Sequence, residues 1–468
     1  MRSQESDTRR VAGPERAELL ELAVETYIFG FASVEMFRTM DQLIGDPRAG
    51  SHRYAFDRFF HSRSLAEDSD EWLAAPNSEI LYSNAWLDLS AQPVVLQIPD
   101  MATRYFVLQF VDFFANSFAH VGTHTLGNGA RRVAITGPNW QGSLPGGMAV
   151  IKSPTSYAWI FGRIRIDGAH ELDLVHSLQD QLTLEHPSVA GNSALSKESW
   201  LPFRGGDALD FFANLGQVLR HNSPPAHDEH LLARWPRLGM ARDQVFEPGA
   251  VDAALRGILE QAITVGHDRI AQRESQFEQF CPGWIWEGRS AGSYGRDDLT
   301  RAASAKAGLG ILCPDEAIYP FAYVDDQGAP LEGGHSYRLS FAPGALPQAR
   351  YFWSITIYEL PGYRLVNNPL NRYALGSASR LQLDPDGAVA LSLQADWPAD
   401  PSVNWLPTPR TGRFVVALRI FGPSEDTLQR KYRLPLVVRL HADGMTASSK
   451  GASGLPAADR GERGGGPS

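Results

Sequence analysis

A chain of 468 residues is long for one hydrophobic core, so two or three domains are expected. Hydrophobic residues make up 43% and aromatics 10%, enough to fill substantial cores and to exclude a globally disordered chain. The net charge of −10 argues against a general nucleic-acid binder, whose phosphate contacts need concentrated cations.

Residues 1–13 are polar and read as a flexible N-terminus with no apolar stretch before a cleavage site, so no signal peptide is expected. No run approaches the roughly 18 apolar residues of a membrane span, which leaves a cytoplasmic location as the default expectation. From Pro14, the residues Leu19, Leu20, Ala23, Val24, Tyr27, Ile28 and Phe31 recur at three and four. That spacing predicts an amphipathic helix of roughly 25 residues with proline in its first turn. Residues 50–92 read as loop. Strands are expected at 94–98, 104–113, 132–136 and 159–166, then helices at 170–183, 207–220, 250–278 and 295–308. Strand patterns resume at 337–342, 351–359, 387–395 and 413–421. Residues 444–468 are rich in Gly, Ser, Ala and Pro and read as a disordered tail. Cys281 and Cys313 have no metal-ligand spacing; free thiols are the plain reading and a single disulfide the alternative.

The chain also echoes itself. Arg104-Tyr105-Phe106 opens one strand and Arg350-Tyr351-Phe352 another. Each is followed by an Asn-Trp pair (Asn139-Trp140, Asn404-Trp405), a proline, and an aromatic strand carrying Arg163 or Arg419. A true echo means two similar β-sandwiches with a helical connection; unequal spacings leave chance open.

Pro76-Asn77-Ser78-Glu79, Leu81-Tyr82-Ser83, Trp86-Leu87-Asp88-Leu89, Pro93-Val94-Val95-Leu96 and Arg104-Tyr105 together resemble the hallmark run of the domain-of-unknown-function family 1254. Phe352-Trp353-Ser354, Tyr358, Asn367-Asn368-Pro369, Arg372-Tyr373, Asn404-Trp405-Leu406-Pro407 and Arg419 resemble family 1214. The resemblance implies a bacterial α+β, β-rich protein of two jelly-roll-like antiparallel β-sandwich domains, with a helical N-terminus, a helical connecting segment and a homo-oligomeric state. The expected boundaries are 14–185 for the first domain, 186–315 for the mainly helical connection and 316–443 for the second sandwich. Where the family pattern usually has Asp-Thr, this chain has Glu79-Ile80, which moves a carboxylate and deletes a hydroxyl.

Alternation places Arg104, Phe106, Leu108, Phe110 and Asp112 on one face of their strand, and Trp159, Phe161, Arg163 and Arg165 on one face of theirs. A carboxylate near the end of a buried strand needs a partner, and Arg163 is the natural choice for Asp112. A structural ion pair and an acid/base or anion-binding pair in a cleft both remain open. Asn367 serves either a turn or a ligand, and Trp353 and Trp405 either a core or a stacking platform. His120 and His124 lie among glycines rather than on a helix, so no metal site is expected; His124 is a reserve base near Asp112. Gly-rich phosphate loops and a GxSxG elbow are absent, so no cofactor is expected.

The leading expectation is a cofactor-independent hydrolase or lyase acting on a small polar or anionic metabolite. Asp112 and Glu79 would act as acid and base, Tyr82 and Tyr358 as donors, and His124 as reserve. Asn77, Arg163, Trp353, Asn367, Trp405 and Arg419 would contact the ligand. The alternative is a non-catalytic small-molecule or carbohydrate-binding or assembly protein, with neither nucleic acid nor membrane as partner.

Overall fold

The computed structural model describes residues 13–44, 54–70, 74–144, 146–187, 200–242 and 244–440. The expected loose N-terminus, apart from Gly13, and the 444–468 tail lie outside the described residues. Among the described residues, no helix is long and apolar enough to cross a membrane.

Each half is built from the same eight strands. The first half runs β1 (Ile80–Asp88), β2 (Val94–Ile98), β3 (Phe106–Asp112), β4 (Ser117–Gly122), β5 (Arg131–Thr136), β6 (Ala149–Lys152), β7 (Tyr157–Arg165) and β8 (Thr183–Glu185). The second half runs β9 (Phe321–Ala322), β10 (Ser336–Phe341), β11 (Ala349–Glu359), β12 (Ala374–Gly376), β13 (Val389–Gln394), β14 (Asn404–Pro407), β15 (Phe414–Pro423) and β16 (Val437–Leu440). The first large sheet is ordered β1-β7-β3-β4, and the second carries β9-β15-β11-β12. The small sheets are β6-β5-β2-β8 and β14-β13-β10-β16. Both small sheets contain one parallel pair at the same place, β5 with β6 and β13 with β14. The expected antiparallel pairing therefore holds in the large sheets, while the small sheets are mixed. A shared exception of this kind is strong evidence of internal duplication.

Each half is a sandwich whose interior is filled from alternate positions. Leu81, Leu96, Phe106, Leu108, Val133, Ile160 and Ile164 fill the first; Leu339, Ile355, Leu391, Val416, Leu418 and Ile420 fill the second. Burying a side chain of this size contributes about 1.5–3 kcal/mol. The other faces of the two large sheets turn toward each other. They meet where Tyr105 packs on Phe352 and Phe421, ring centroids 5.6 and 5.5 Å apart, with Phe352 and Phe421 stacked at 4.2 Å.

Helices form a third layer. The first helix, α1 (Gly13–Ile44), is longer than its periodicity suggests and packs against α3 (Asp210–His221), α4 (Ala253–Ser275) and α5 (Asp298–Ala307); α2 (Leu172–Asp180) links β7 to β8. Among the described residues of 200–315 lie α3, α4 and α5, but the strands Glu278–Cys281 and Trp284–Trp286 extend the second large sheet. Both cysteines are free.

The duplication corrects the sequence echo. Arg163 stands opposite Val107, the third residue after Arg104; Arg419 stands opposite Ser354, the fourth after Arg350. A register shift between Ala349 and Phe352 absorbs the extra residue, so Tyr105 corresponds to Phe352 rather than to Tyr351. Asn139-Trp140 precedes β6 whereas Asn404-Trp405 lies inside β14, so that pair is not equivalent.

In both halves a glycine borders this position. A Cβ on Gly122 would lie 2.3 Å from the Phe106 carbonyl oxygen, and one on Gly376 would lie 2.1 Å from that of Trp353. Gly122→Ala and Gly376→Ala are each expected to destabilise the protein by about 1–3 kcal/mol. Thermal melting checks this; wild-type melting of either variant would contradict the close approach.

Candidate ligand-binding site

Two equivalent rows of side chains face each other across a cavity. In the first large sheet, Tyr82, Arg163, Val107 and Gly122 lie side by side on four strands. In the second, Arg419, Ser354 and Gly376 are in register. The pairs Ile318 with Ile420 and Phe321 with Ala417 bracket Tyr319 opposite Arg419. Tyr82–Arg163 and Tyr319–Arg419 are therefore the same pair, made twice. All four residues line one cavity of about 600 Å³.

The arginines are held in equivalent ways. Arg163 Nη1 donates to Gln109 Oε1 (2.9 Å), and Arg419 Nη1 donates to Thr356 Oγ1 (3.2 Å), each acceptor two residues along the neighbouring strand. Arg163 Nη2 then reaches Gly310 O (2.6 Å), just ahead of the second half, whereas Arg419 Nη2 reaches back to Ala75 O (2.7 Å). Arg163 also lies 4.0 Å above the Phe161 ring, with a further bond from Nη1 to Phe161 O, and Arg419 bonds the Tyr358 hydroxyl. Each guanidinium carries five N–H groups, and neither Nε–H is engaged by a described residue.

Both arginines are buried, 7% and 5% exposed; among the described residues neither is ion-paired with a carboxylate, although the Glu79 carboxyl lies within the field of Arg419. Their fields overlap on both tyrosines. Burial raises Tyr82 and pushes Tyr319 up to about 12, in each case against the pull of both guanidiniums. Asn77 joins them: its Oδ1 accepts from the Glu79 N–H (2.8 Å), which leaves the buried Nδ2 without a partner at the cavity wall.

The rest of the lining differs. Ile80, Trp159, Phe161, Leu309 and Phe321 form apolar wall. Beyond it stand Glu274 and Ser275 from the last turn of α4, then Trp286, Glu287, Tyr323 and Tyr363. Tyr323 and Tyr363 share a hydroxyl–hydroxyl bond of 2.8 Å. Burial pushes the Glu287 carboxyl up to about 8; the nearby Ser304 hydroxyl pulls it down and the charge of Glu274 pushes it further up.

Of the residues singled out from sequence, Asn77, Tyr82, Arg163 and Arg419 meet at the cavity. Tyr358 stands behind Arg419 and donates to Pro76 O (2.6 Å). Glu79 lies beside the wall, its carboxyl raised by burial against the pull of Arg165 and Arg419. The expected Asp112–Arg163 pair is not made, because the two occupy opposite faces of the sheet. Asp112 Oδ1 instead accepts from the N–H groups of Phe114 and Asn116 (both 2.9 Å), fixing the turn after β3. His124 Nδ1 lies 3.1 Å from Glu316 Oε2, and Glu316 Oε1 accepts from Tyr105 (2.5 Å), a link between halves whose carboxyl also pushes Tyr319 up. Trp353 faces the second sandwich interior, and Trp405 packs on Trp397 and donates to Gln394 O. Asn367 bonds Asp68. Tyr319, Tyr323, Tyr363 and Glu287 were not legible as site residues; a tyrosine ahead of each Arg-Tyr-Phe strand is the signal that could have found Tyr319.

Residues 56–186 match the family model described as protein of unknown function (DUF1254), and residues 316–425 match protein of unknown function (DUF1214). The chain belongs to these two families, in that order. The two matches fall on the two duplicated sandwiches, so each contributes one Tyr–Arg pair. No curated protein matches the chain. The crystal structure of the VPA0106 protein from Vibrio parahaemolyticus is similar, with a TM-score of 0.70 and 20% identity over 90% of this chain and 100% of that one. An uncharacterized protein from Burkholderia cenocepacia aligns with a TM-score of 0.42 and 12% identity, over 88% of this chain and 93% of that one. The first likeness shows a shared fold.

Glu287 supplies a pH test. The folded state keeps its carboxyl protonated up to about 8, while the unfolded chain releases the proton near 4.5. The folded state holds more protons between these values, so wild-type stability falls as pH rises through that window. Glu287→Gln removes this loss. Its melting temperature is expected to equal wild type near pH 4 and to exceed it progressively toward pH 8; a pH-independent difference would refute the assignment.

Proposed function

We propose that this protein binds a small organic anion with an apolar body in the cavity between its two large sheets. One observation carries the reading: two buried guanidiniums, equivalent in the duplicated halves, face one cavity with no ion-paired carboxylate among the described residues. An unpaired buried charge costs several kcal/mol, and a ligand carboxylate or phosphate supplies the missing counter-charge. Asn77 Nδ2 and the Tyr319 hydroxyl add neutral donors at the same end. A volume of about 600 Å³ falls within the roughly 300–1,000 Å³ of small-molecule pockets. Ile80, at the position where the family motif usually has threonine, makes the wall apolar and suits a hydrocarbon or aromatic body.

Ligand capture is better supported than side-chain acid/base chemistry. Asp112 is committed to its turn, His124 is committed to Glu316, and Glu79 stands beside the wall. The residues that do converge are donors and cations suited to holding charge.

Calorimetric titration with alkyl and aryl carboxylates, alongside their neutral amides, tests the reading. The acids are expected to bind and the amides not. Arg419→Met should weaken the acids by about tenfold or more, the scale of a charged hydrogen bond. Without ligand the same variant is expected to melt lower than wild type, because the Ala75 carbonyl, Thr356 and Tyr358 lose their donor. Equal binding of acid and amide would sink the proposal.

A further inference from the structure

The cavity is electrically two-ended. Both arginines act on Tyr82 and Tyr319, on the latter against an opposing push from Glu316, whereas Tyr323 is pushed up by Glu274 and Glu287. The second end is built to favour positive charge. The last turn of α4 lines it through Ala271, Glu274 and Ser275, and a helix of 23 residues ends there in its negative pole. Glu287 adds a carboxyl whose Oε2 is shielded from solvent without a close partner. Trp286, Tyr323 and Tyr363 add aromatic rings and oxygen acceptors.

The cations already present near this end are spent. Lys306 pairs with Glu274 (2.5 Å), Arg273 donates to Thr300 and Gln276 O, and Arg430 lies over Trp286 while pairing with Glu278. The groups facing Glu287 are Glu274, Tyr294, Tyr323 and Ser304, none of them cationic.

We infer that this end seats a protonated amine, so that the ligand is an amphipathic zwitterion: an acid and an ammonium separated by an apolar span. The inference rests on the anion-binding reading and narrows it. An ammonium beside Glu287 favours its ionised form, so binding near pH 7 transfers the carboxyl proton to solvent as the Glu287⁻–ammonium pair forms.

The test compares ω-amino acids with unsubstituted fatty acids of six, eight and ten carbons, titrated into the full chain at pH 7 in two buffers of different ionisation enthalpy. At the best-fitting length the amino compound is expected to bind about tenfold tighter and to release close to one proton, while the fatty acid releases none. Glu287→Gln should bring the affinity ratio to about one and abolish the release. Fatty acids that bind through Arg419 with no gain from the amine overturn this inference and leave the anion reading standing. Binding of neither series, or binding indifferent to Arg419→Met, overturns both.

Discussion

Two guanidiniums held inside the molecule with no carboxylate ion-paired to either among the described residues are the constraint around which the rest is arranged. Each is fixed by an acceptor on its own sheet and by a backbone carbonyl beyond it, Gly310 for Arg163 and Ala75 for Arg419. These crossed ties fasten the halves together while keeping both cations at the cavity wall. Carbonyl dipoles and aromatic faces make the charges tolerable without neutralising them. On the proposed reading, the site keeps a demand for negative charge that a ligand anion would meet.

The duplication explains why such a pair exists. Two sandwiches with one strand order, set with their large sheets facing, bring Arg163 on β7 and its counterpart Arg419 on β15 to one cavity. The supporting contacts have diverged in identity but not in role: Gln109 in one half and Thr356 in the other accept the same kind of bond. The cavity is the gap that the aromatic contact between Tyr105, Phe352 and Phe421 does not fill.

Most strands and helices were legible from periodicity, because buried faces impose period two on strands and three to four on helices. β1 was read as loop because Ser83, Asn84 and Asp88 interrupt its apolar run. The whole strand is buried on both faces, and two of its interrupting polar side chains find partners, Ser83 in His61 and Gln179 and Asn84 in the Trp159 indole. Asp112 does need a partner, but amides of the adjoining turn supply it, whereas Arg163 stands on the opposite face. Arg163 and Arg419 were visible as charges among aromatics. Their equivalence was blurred because the motif before them is displaced by one residue in β11. Tyr319 sits beside Pro320 in a strand too broken to show alternation, and Glu287 reaches the site only through tertiary packing.

Fusing the two copies into one chain has a consequence for symmetry. A homodimer of either half would repeat every lining residue across its two-fold axis, so its central hollow would look alike from both directions. Here the axis is only approximate, and helix α4 with the Trp284–Trp286 strand closes one side alone. A guest entering such a chamber has a head and a tail assigned to it, a directionality that no pair of identical subunits could impose at its own axis.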